Sequence, residues 1–255
     1  MKLRILSYNI HKGFTIGNRD FILEQIRLAL REMNADVLFL QEVLGDHQDK
    51  KCKIPDWKTA IQFEYLADTV WPHFAYGKNA IYPEGHHGNA ILSKFPIIDW
   101  QNHVISTNRF EHRGLLKTKI LIPELEREII LANTHLDLTQ TGRDMQTDMI
   151  IKHMKDETET PWVLVGDFND WNKKISPRIE KTLGAQEVFK TLHGKYPRTF
   201  PSFLPALSLD RFFVHKLTPI TAVALTDPHW KNLSDHLPLL VEIELPEIDE
   251  KKKVS

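Results

Sequence analysis

A single cysteine, Cys52, stands among 255 residues. No internal disulfide can form, and the chain needs no oxidising compartment. Cys52 lies in Lys50-Lys51-Cys52-Lys53, where ammonium groups lower a thiol pKa, but nothing triad-like surrounds it and no catalytic role is assigned. Long apolar runs are missing too. The run from Leu3 to Leu6 is far too short for a signal peptide, and Tyr8-Asn9 interrupts it. Nothing approaches a membrane span. The expectations are therefore a cytoplasmic location and no stable membrane insertion. Net charge is also lacking: 33 Lys and Arg face 34 Asp and Glu, a balance of −1. Such a chain has no global attraction to nucleic acid or anionic lipid, and a local basic patch cannot be located from sequence. Despite thirteen His, neither a His-Glu-x-x-His motif nor a Cys/His cluster exists, which argues against a zinc hydrolase. There is no low-complexity linker. The one composition shift comes at the end, so residues 1–246 are read as one domain, with 247–255 as a frayed, charged tail. A monomer is expected.

What is present reads as alternating strands and helices. Leu3 to Tyr8 is a first strand. Asp20 to Met33 is a helix, with Ile22, Ile26, Ala29, Leu30 and Met33 at helical spacing. Asp36 to Gln41 is an apolar strand ending at Glu42. Later, Ile129 to Asn133 is a strand ending at Thr134-His135. A helical pattern follows with Met145, Met149, Ile150 and Met154 on one face, and then Trp162 to Val165 leads to Gly166-Asp167. Glu42 follows Asn9 by 33 positions, and Asp167 follows His135 by 32. The chain thus contains two similar halves, each a strand, a polar ligand-type residue, a helix, a strand and an acid. Two such halves can stack their sheets face to face with helices outside. In the last third the polar group precedes its strand: Asp210 leads Phe212-Phe213-Val214, and Asp235-His236 lead Leu237 to Leu245. If these late strands run antiparallel to the early ones, all the polar groups gather at one edge.

Each polar group has a bland reading beside a chemical one. Asp167 and Asn169 in Gly166-Asp167-Phe168-Asn169 suit a strand-end turn, yet Gly166 also lets a backbone or substrate approach closely. Asp235-His236 could cap a strand start, but an ionisable pair directly before core residues is an unusual placement of charge. Glu42 is either an exposed strand end or a ligand for a hard cation. His135 alone reads as a semi-buried hydrogen-bonding group, and Asp210 as half of an ion pair. His11 and Lys12 follow Asn9 and are candidates to face the same pocket. Trp71, Trp100 and Trp162 read as core.

Together the stretches Leu6-Ser7-Tyr8-Asn9-Ile10, Leu40-Gln41-Glu42, Gly88 to Ile97, Asn133-Thr134-His135-Leu136, Val165 to Asn169, Leu209 to Phe213 and Ser234 to Pro238 resemble the motifs of the endonuclease/exonuclease/phosphatase superfamily, in that family's order. The superfamily includes DNase I-like nucleases, sphingomyelinases and inositol-polyphosphate phosphatases. The likeness is greatest to a bacterial branch whose first strand ends Tyr-Asn-Ile-His-Lys-Gly. The resemblance implies an α/β (α+β) four-layer sandwich of two packed, mostly antiparallel mixed β-sheets flanked by helices. It also implies a phosphodiesterase acting by in-line attack of water. Glu42, helped by Asn9 and Asp235, would hold Mg²⁺ or Mn²⁺. Asp167 would orient or deprotonate the water. Asn169 and His135 would bind phosphoryl oxygens, with Arg113 and His87 as further substrate contacts. His236, oriented by Asp210, would complete the acid/base machinery. The resemblance leaves open whether the substrate is nucleic acid, a lipid head group or a small phosphoester, whether one or two metals bind, and which of Asp167 and His236 is the general base. A phosphomonoesterase and a non-catalytic binding protein are the competing readings. Specificity is expected in loops 45–60, 78–88, 106–113, 194–206 and 226–233, with Tyr76 to Asn89 read as one substrate-shaping loop.

Overall fold

The computed structural model describes residues 1–17, 20–47, 61–82, 85–108 and 112–246; Cys52 and the charged tail lie outside the described residues. The expected strands form, and the sheets pair as the resemblance implied. One sheet has the order β11(Thr218–Ala224), β12(Leu239–Glu244), β1(Lys2–Asn9), β2(Val37–His47), β4(Gly85–Ser93), β3(His73–Tyr82). The other has β5(Ile97–Val104), β6(Gly114–Ile122), β7(Arg127–His135), β8(Trp162–Asp167), β10(Asp210–His215), β9(Gln186–Glu187). Position by position the two orders correspond. Each has one parallel pair in the middle, β1 with β2 and β7 with β8, and antiparallel pairs elsewhere. The repeat seen as matching spacings in the sequence is therefore a repeat of sheet topology. Parallel neighbours need a crossover. In the first half it carries α1(Leu23–Glu32), and in the second α3(Gln140–Met154), while α2(Gln62–Ala67) lies between β2 and β3.

The central strands are continuous apolar runs because both of their faces are covered. Leu3, Ile5, Val37 and Phe39 meet Ile129, Leu131, Val163 and Val165 between the sheets. The alternate residues turn outward: Leu6, Tyr8, Leu38 and Leu40 pack on Ile26, Ala29 and Leu30 of α1, and Ile130, Ala132 and Leu164 pack on Ile150 and Met154 of α3. The four layers follow from this period-two alternation in strands and period-3.6 spacing in helices.

At the end of the sandwich below the polar strand tips, apolar packing gives way to amides. Asn133 of β7 donates to the carbonyls of Leu40 and Ala90 in the opposite sheet, both at 2.9 Å, and accepts from Gln41 Nε2 at 2.8 Å. Both amide groups of this buried side chain are engaged across the sheet interface, which fixes how the two sheets register.

Three expectations are corrected here. The buried face of α3 is not a methionine stripe: Gly142, Arg143, Gln146, Thr147, Ile150 and Met154 are buried, and Met145 is exposed. Polar groups fill that face because the loop before the helix needs them. Gln146 Oε1 accepts from Asp137 N–H at 2.8 Å, and Arg143 Nη1 donates to the Leu138 carbonyl at 2.6 Å. Trp100 is half exposed because β5 is an edge strand with no neighbour on its outer side, whereas Trp71 and Trp162 are core as expected. The stretch Tyr76 to Asn89 is largely the paired strands β3 and β4 rather than a loop, since its Gly and His residues are accommodated in an irregular antiparallel ladder.

Candidate active site

Chain polarity brings the polar groups together. β1, β7 and β8 finish at one edge, and β2 passes it at Glu42. Asp210 opens β10 directly opposite Asp167 in antiparallel register. β12 runs antiparallel to β1, pairing Leu239 with Ser7, so Asp235 and His236 fall beside Asn9. The edge carries a cleft of about 310 Å³ lined by polar Glu42, His135, Asp167, Asn169, Asp235 and His236 together with apolar Leu138, Trp171, Phe200, Leu207 and Leu209.

Asp167 is the centre of this constellation. Its Oδ1 accepts from the Asn169 N–H at 3.0 Å, and its Oδ2 accepts from Asn9 Nδ2 at 3.2 Å. The Nε2 atoms of His135 and His236 each stand 3.5 Å from the same Oδ2. Gly166 makes this possible. Its φ of +152° is foreign to L side chains, and a Cβ there would lie 1.9 Å from the Thr134 carbonyl oxygen, so the strand tip can press against β7 only as glycine.

The two imidazoles, equally buried, are held in opposite charge states. Burial and the nearby Arg113 guanidinium push His135 down to about 3, so it is neutral at pH 7. Burial would also lower His236, but Asp210 and then Asp167 outweigh it and push it up to about 10. His236 Nδ1 lies 2.9 Å from Asp210 Oδ2, which also accepts from the Thr199 hydroxyl. The cationic form of His236 therefore favours the fold at pH below the ordinary histidine value of about 6.5, and this contribution fades as pH rises through about 10. In the metal-free protein the His236 ring should stay protonated above pH 8 by NMR. Asp210→Asn removes the largest force raising it and should lower its titration by about one unit or more. A wild-type ring titrating near the ordinary value would overturn this account.

Glu42 does not end its strand. β2 continues to His47 after a bulge, where the pairing with β4 slips between Leu40 and Val43 and Glu42 adopts φ +54°. An apolar pattern broken by Gln41-Glu42 cannot reveal that Val43 and Leu44 pair again. The bulge re-aims the carboxylate into the cleft. Burial opposes ionisation of Glu42, but its coupling to the His135 ring, to the Lys12 ammonium and to His11 keeps it well below the usual carboxylate range. Lys12 Nζ lies 2.8 Å from Glu42 Oε2, and His11 Nδ1 lies 3.4 Å from Asp235 Oδ2. His11 and Lys12, both at positive φ, thus set one basic group against each of the two carboxylates. Asn9 reaches Glu42 Oε1 at 3.4 Å, and Ser234 Oγ donates to the Asn9 carbonyl at 2.7 Å.

Two expected substrate contacts are not in the cleft wall. His87 sits in β4 opposite Leu44 and does not line the cleft, because it is taken up in the β2–β4–β3 ladder. Arg113 acts on His135 through its charge but does not line the cleft either. Thr199, Phe200 and Trp171 were not anticipated; no local pattern points to Thr199, which meets Asp210 only through the fold. Asp170 was missed as well. Its carboxylate accepts from the N–H groups of Lys174, Ile175 and Ser176 at the start of α4(Ile175–Leu183) and pairs with buried Arg211. Arg211 is thus the partner of Asp170, not of Asp210.

Among the described residues, Asp167, Asp210 and His236 place one ligand atom each within 4.8 Å of one another, a buried cluster that could hold a metal ion. It differs from the set Glu42, Asp235 and Asn9 that the family resemblance implies.

The model of the Endonuclease/Exonuclease/phosphatase family matches residues 6–236. The Escherichia coli (strain K12) protein YbhP, itself described as uncharacterized, is 42% identical over 243 residues, covering 95% of this chain and 96% of its own. The human Nocturnin catalytic domain with bound sulfate is similar at a TM-score of 0.75 and 19% identity, over 96% of this chain and 95% of that one. The Bacteroides thetaiotaomicron mannosyl-6-phosphatase Bt3783 is similar at a TM-score of 0.72 and 18% identity, over 94% and 99%. At such identities the structural likeness speaks for the fold.

Proposed function

The chain belongs to the endonuclease/exonuclease/phosphatase family, and on that premise we propose that it is a divalent-metal-dependent phosphodiesterase. The carrying observation is Asp167, held at the head of the cleft by the Asn9 amide and the Asn169 N–H, with a neutral and a cationic imidazole on either side. We assign Asp167 as the base, since its Oδ2 is the carboxylate oxygen that both imidazoles face at 3.5 Å, while His236 is held by Asp210. Asp167 takes the proton of the attacking water as its oxygen bonds to phosphorus. His236 and the Asn169 and His135 side chains hold the non-bridging phosphoryl oxygens, where charge develops as the ester P–O bond breaks. Asp210 keeps His236 oriented and charged.

Glu42, Asp235 and Asn9 fit a hard cation. Their donors are all oxygens, the set a hard cation prefers, and Glu42 and Asp235 line the same cleft. In the alternative cluster His236 already directs Nδ1 at Asp210 Oδ2, 2.9 Å away, and Nε2 at Asp167 Oδ2, 3.5 Å away. Mg²⁺ or Mn²⁺ on Glu42 and Asp235 would supply neutralisation of phosphoryl charge. Among the described residues the lining of the cleft contains no Lys or Arg, while five of its residues are large and apolar. This favours a diester, with one charge on phosphorus, over a dianionic monoester.

Bis(p-nitrophenyl) phosphate and p-nitrophenyl phosphate should be compared with and without EDTA. The diester should be hydrolysed faster, EDTA should abolish the activity, and Mg²⁺ or Mn²⁺ should restore it. Full activity in chelator-treated protein would sink the metal assignment, and a preference for the monoester would favour the phosphatase alternative.

A further inference from the structure

The apolar half of the cleft continues outward onto the surface. Phe200 and Leu207 pair as a short antiparallel bridge, with Leu207 N–H donating to the Phe200 carbonyl at 2.8 Å. Between them Leu204 N–H donates to the Pro201 carbonyl at 3.1 Å, closing a tight turn. That turn presents two consecutive large apolar residues, Phe203 and Leu204, at 61% and 69% exposure. Leu138, Trp171 and Leu207, all exposed, line the cleft below. An apolar hairpin tip beside an apolar cleft wall is a continuous feature, unlike singly scattered surface residues.

Cations frame it. Lys173 and Lys174 follow Trp171, and Lys195 and Arg198 precede the hairpin. All four side chains are exposed, and none makes an ion pair with a described residue. Lys173, Lys195 and Arg198 line a larger cleft of about 670 Å³, whose lining contains no Asp or Glu among the described residues. Ser208 belongs to that cleft while Leu207 and Leu209 face the catalytic one, so a single chain segment separates them. The near-neutral chain thus carries a local basic patch beside its catalytic mouth.

We propose that this mouth docks reversibly on an anionic lipid surface, and that the substrate is a phosphodiester carried by an amphiphile in that surface. Apolar side chains entering the acyl boundary, ringed by Lys and Arg, are the chemistry that binds such an interface. Single-stranded nucleic acid would call for a run of free aromatic stacking platforms. Here aliphatic Leu138, Leu204 and Leu207 are interspersed with Trp171, Phe200 and Phe203, and the Trp171 ring is already met by Arg143 at 4.1 Å. The substrate half of the proposal rests on the phosphodiesterase reading; the docking half does not.

The test is co-sedimentation of the full chain with vesicles of phosphatidylcholine alone and of an equal mixture of phosphatidylcholine and phosphatidylglycerol. The mixed vesicles should bind the protein. F203S/L204S, both at an exposed turn, should lower the partition coefficient by roughly tenfold or more, with hydrolysis of bis(p-nitrophenyl) phosphate unchanged. K195E/R198E should remove the preference for phosphatidylglycerol. Wild-type protein that ignores both vesicles, or F203S/L204S that binds like wild type, overturns the proposal. So does a loss confined to binding of a single-stranded oligonucleotide. Absent diester hydrolysis with intact vesicle binding would instead strike the phosphodiesterase reading alone.

Discussion

Asp167→Asn should cut kcat by roughly a hundredfold or more, the scale expected when a general base or a major electrostatic group is lost. The substitution is nearly isosteric. The Asn side-chain oxygen can still accept from the Asn169 N–H that now meets Asp167 Oδ1 at 3.0 Å, so the strand tip should keep its shape. What disappears is the negative charge between His135 and His236, and with it the group able to take a proton from water. KM should change less, because the loss falls mainly on the transition state. His236→Ala should cost about as much, by removing the cation that meets the developing phosphoryl charge. Because Asp210 acts through His236 at 2.9 Å, the double change at Asp210 and His236 should be far from additive. Steady-state kinetics on a small diester, with circular dichroism to confirm folding, would measure this. Near-wild-type turnover in folded Asp167→Asn would remove Asp167 from the mechanism and the main support for the phosphodiesterase reading.

Arg211→Ala should destabilise the fold by about 3–5 kcal/mol, the range for breaking a buried ion pair from one side. Both Arg211 and Asp170 are fully buried. The guanidinium has five N–H donors, and five acceptors meet them: Ser176 Oγ, the carbonyls of Ser208, Asp210 and Asp170, and Asp170 Oδ2. Its plane also lies over the Tyr196 ring at 4.3 Å. Without it, an ionised Asp170 is left buried, and the segment leading to Asp210 loses its anchor. Arg211→Lys should recover little, since an ammonium cannot reproduce the planar fork. In a chain of this size the change corresponds to a fall in Tm on the order of 10 °C. Urea unfolding would read it directly. A loss under about 1 kcal/mol would mean that water or rearrangement satisfies Asp170, and that the pair does not organise the edge.

Much of this protein was legible along the chain. The polar residues that matter stand where apolar runs stop or start, because a strand buried on both faces tolerates polarity only at its ends. The matching spacings from Asn9 to Glu42 and from His135 to Asp167 pointed to two similar halves, and chain polarity placed Asp210 and His236 at the same edge once the late strands run antiparallel to the early ones. Those features are local or periodic, so a sequence displays them. The remainder depends on contacts between segments far apart in sequence. That Glu42 leaves its ladder at a bulge, rather than ending it, depends on β4 pairing again beyond it. That Arg143 and Gln146, not Met145, face inward depends on the carbonyls and N–H groups of the preceding loop. Asn133 reads as one more strand residue until the opposite sheet presents Leu40 and Ala90 to it. Even the charge states of His135 and His236 were undecidable from residue types: two imidazoles at equal burial diverge because Arg113 stands by one and Asp210 by the other. Alternation determined which residues would be buried; only the stacking of the two sheets decided what each would meet there, because that stacking sets distances and local fields between groups that the chain holds far apart.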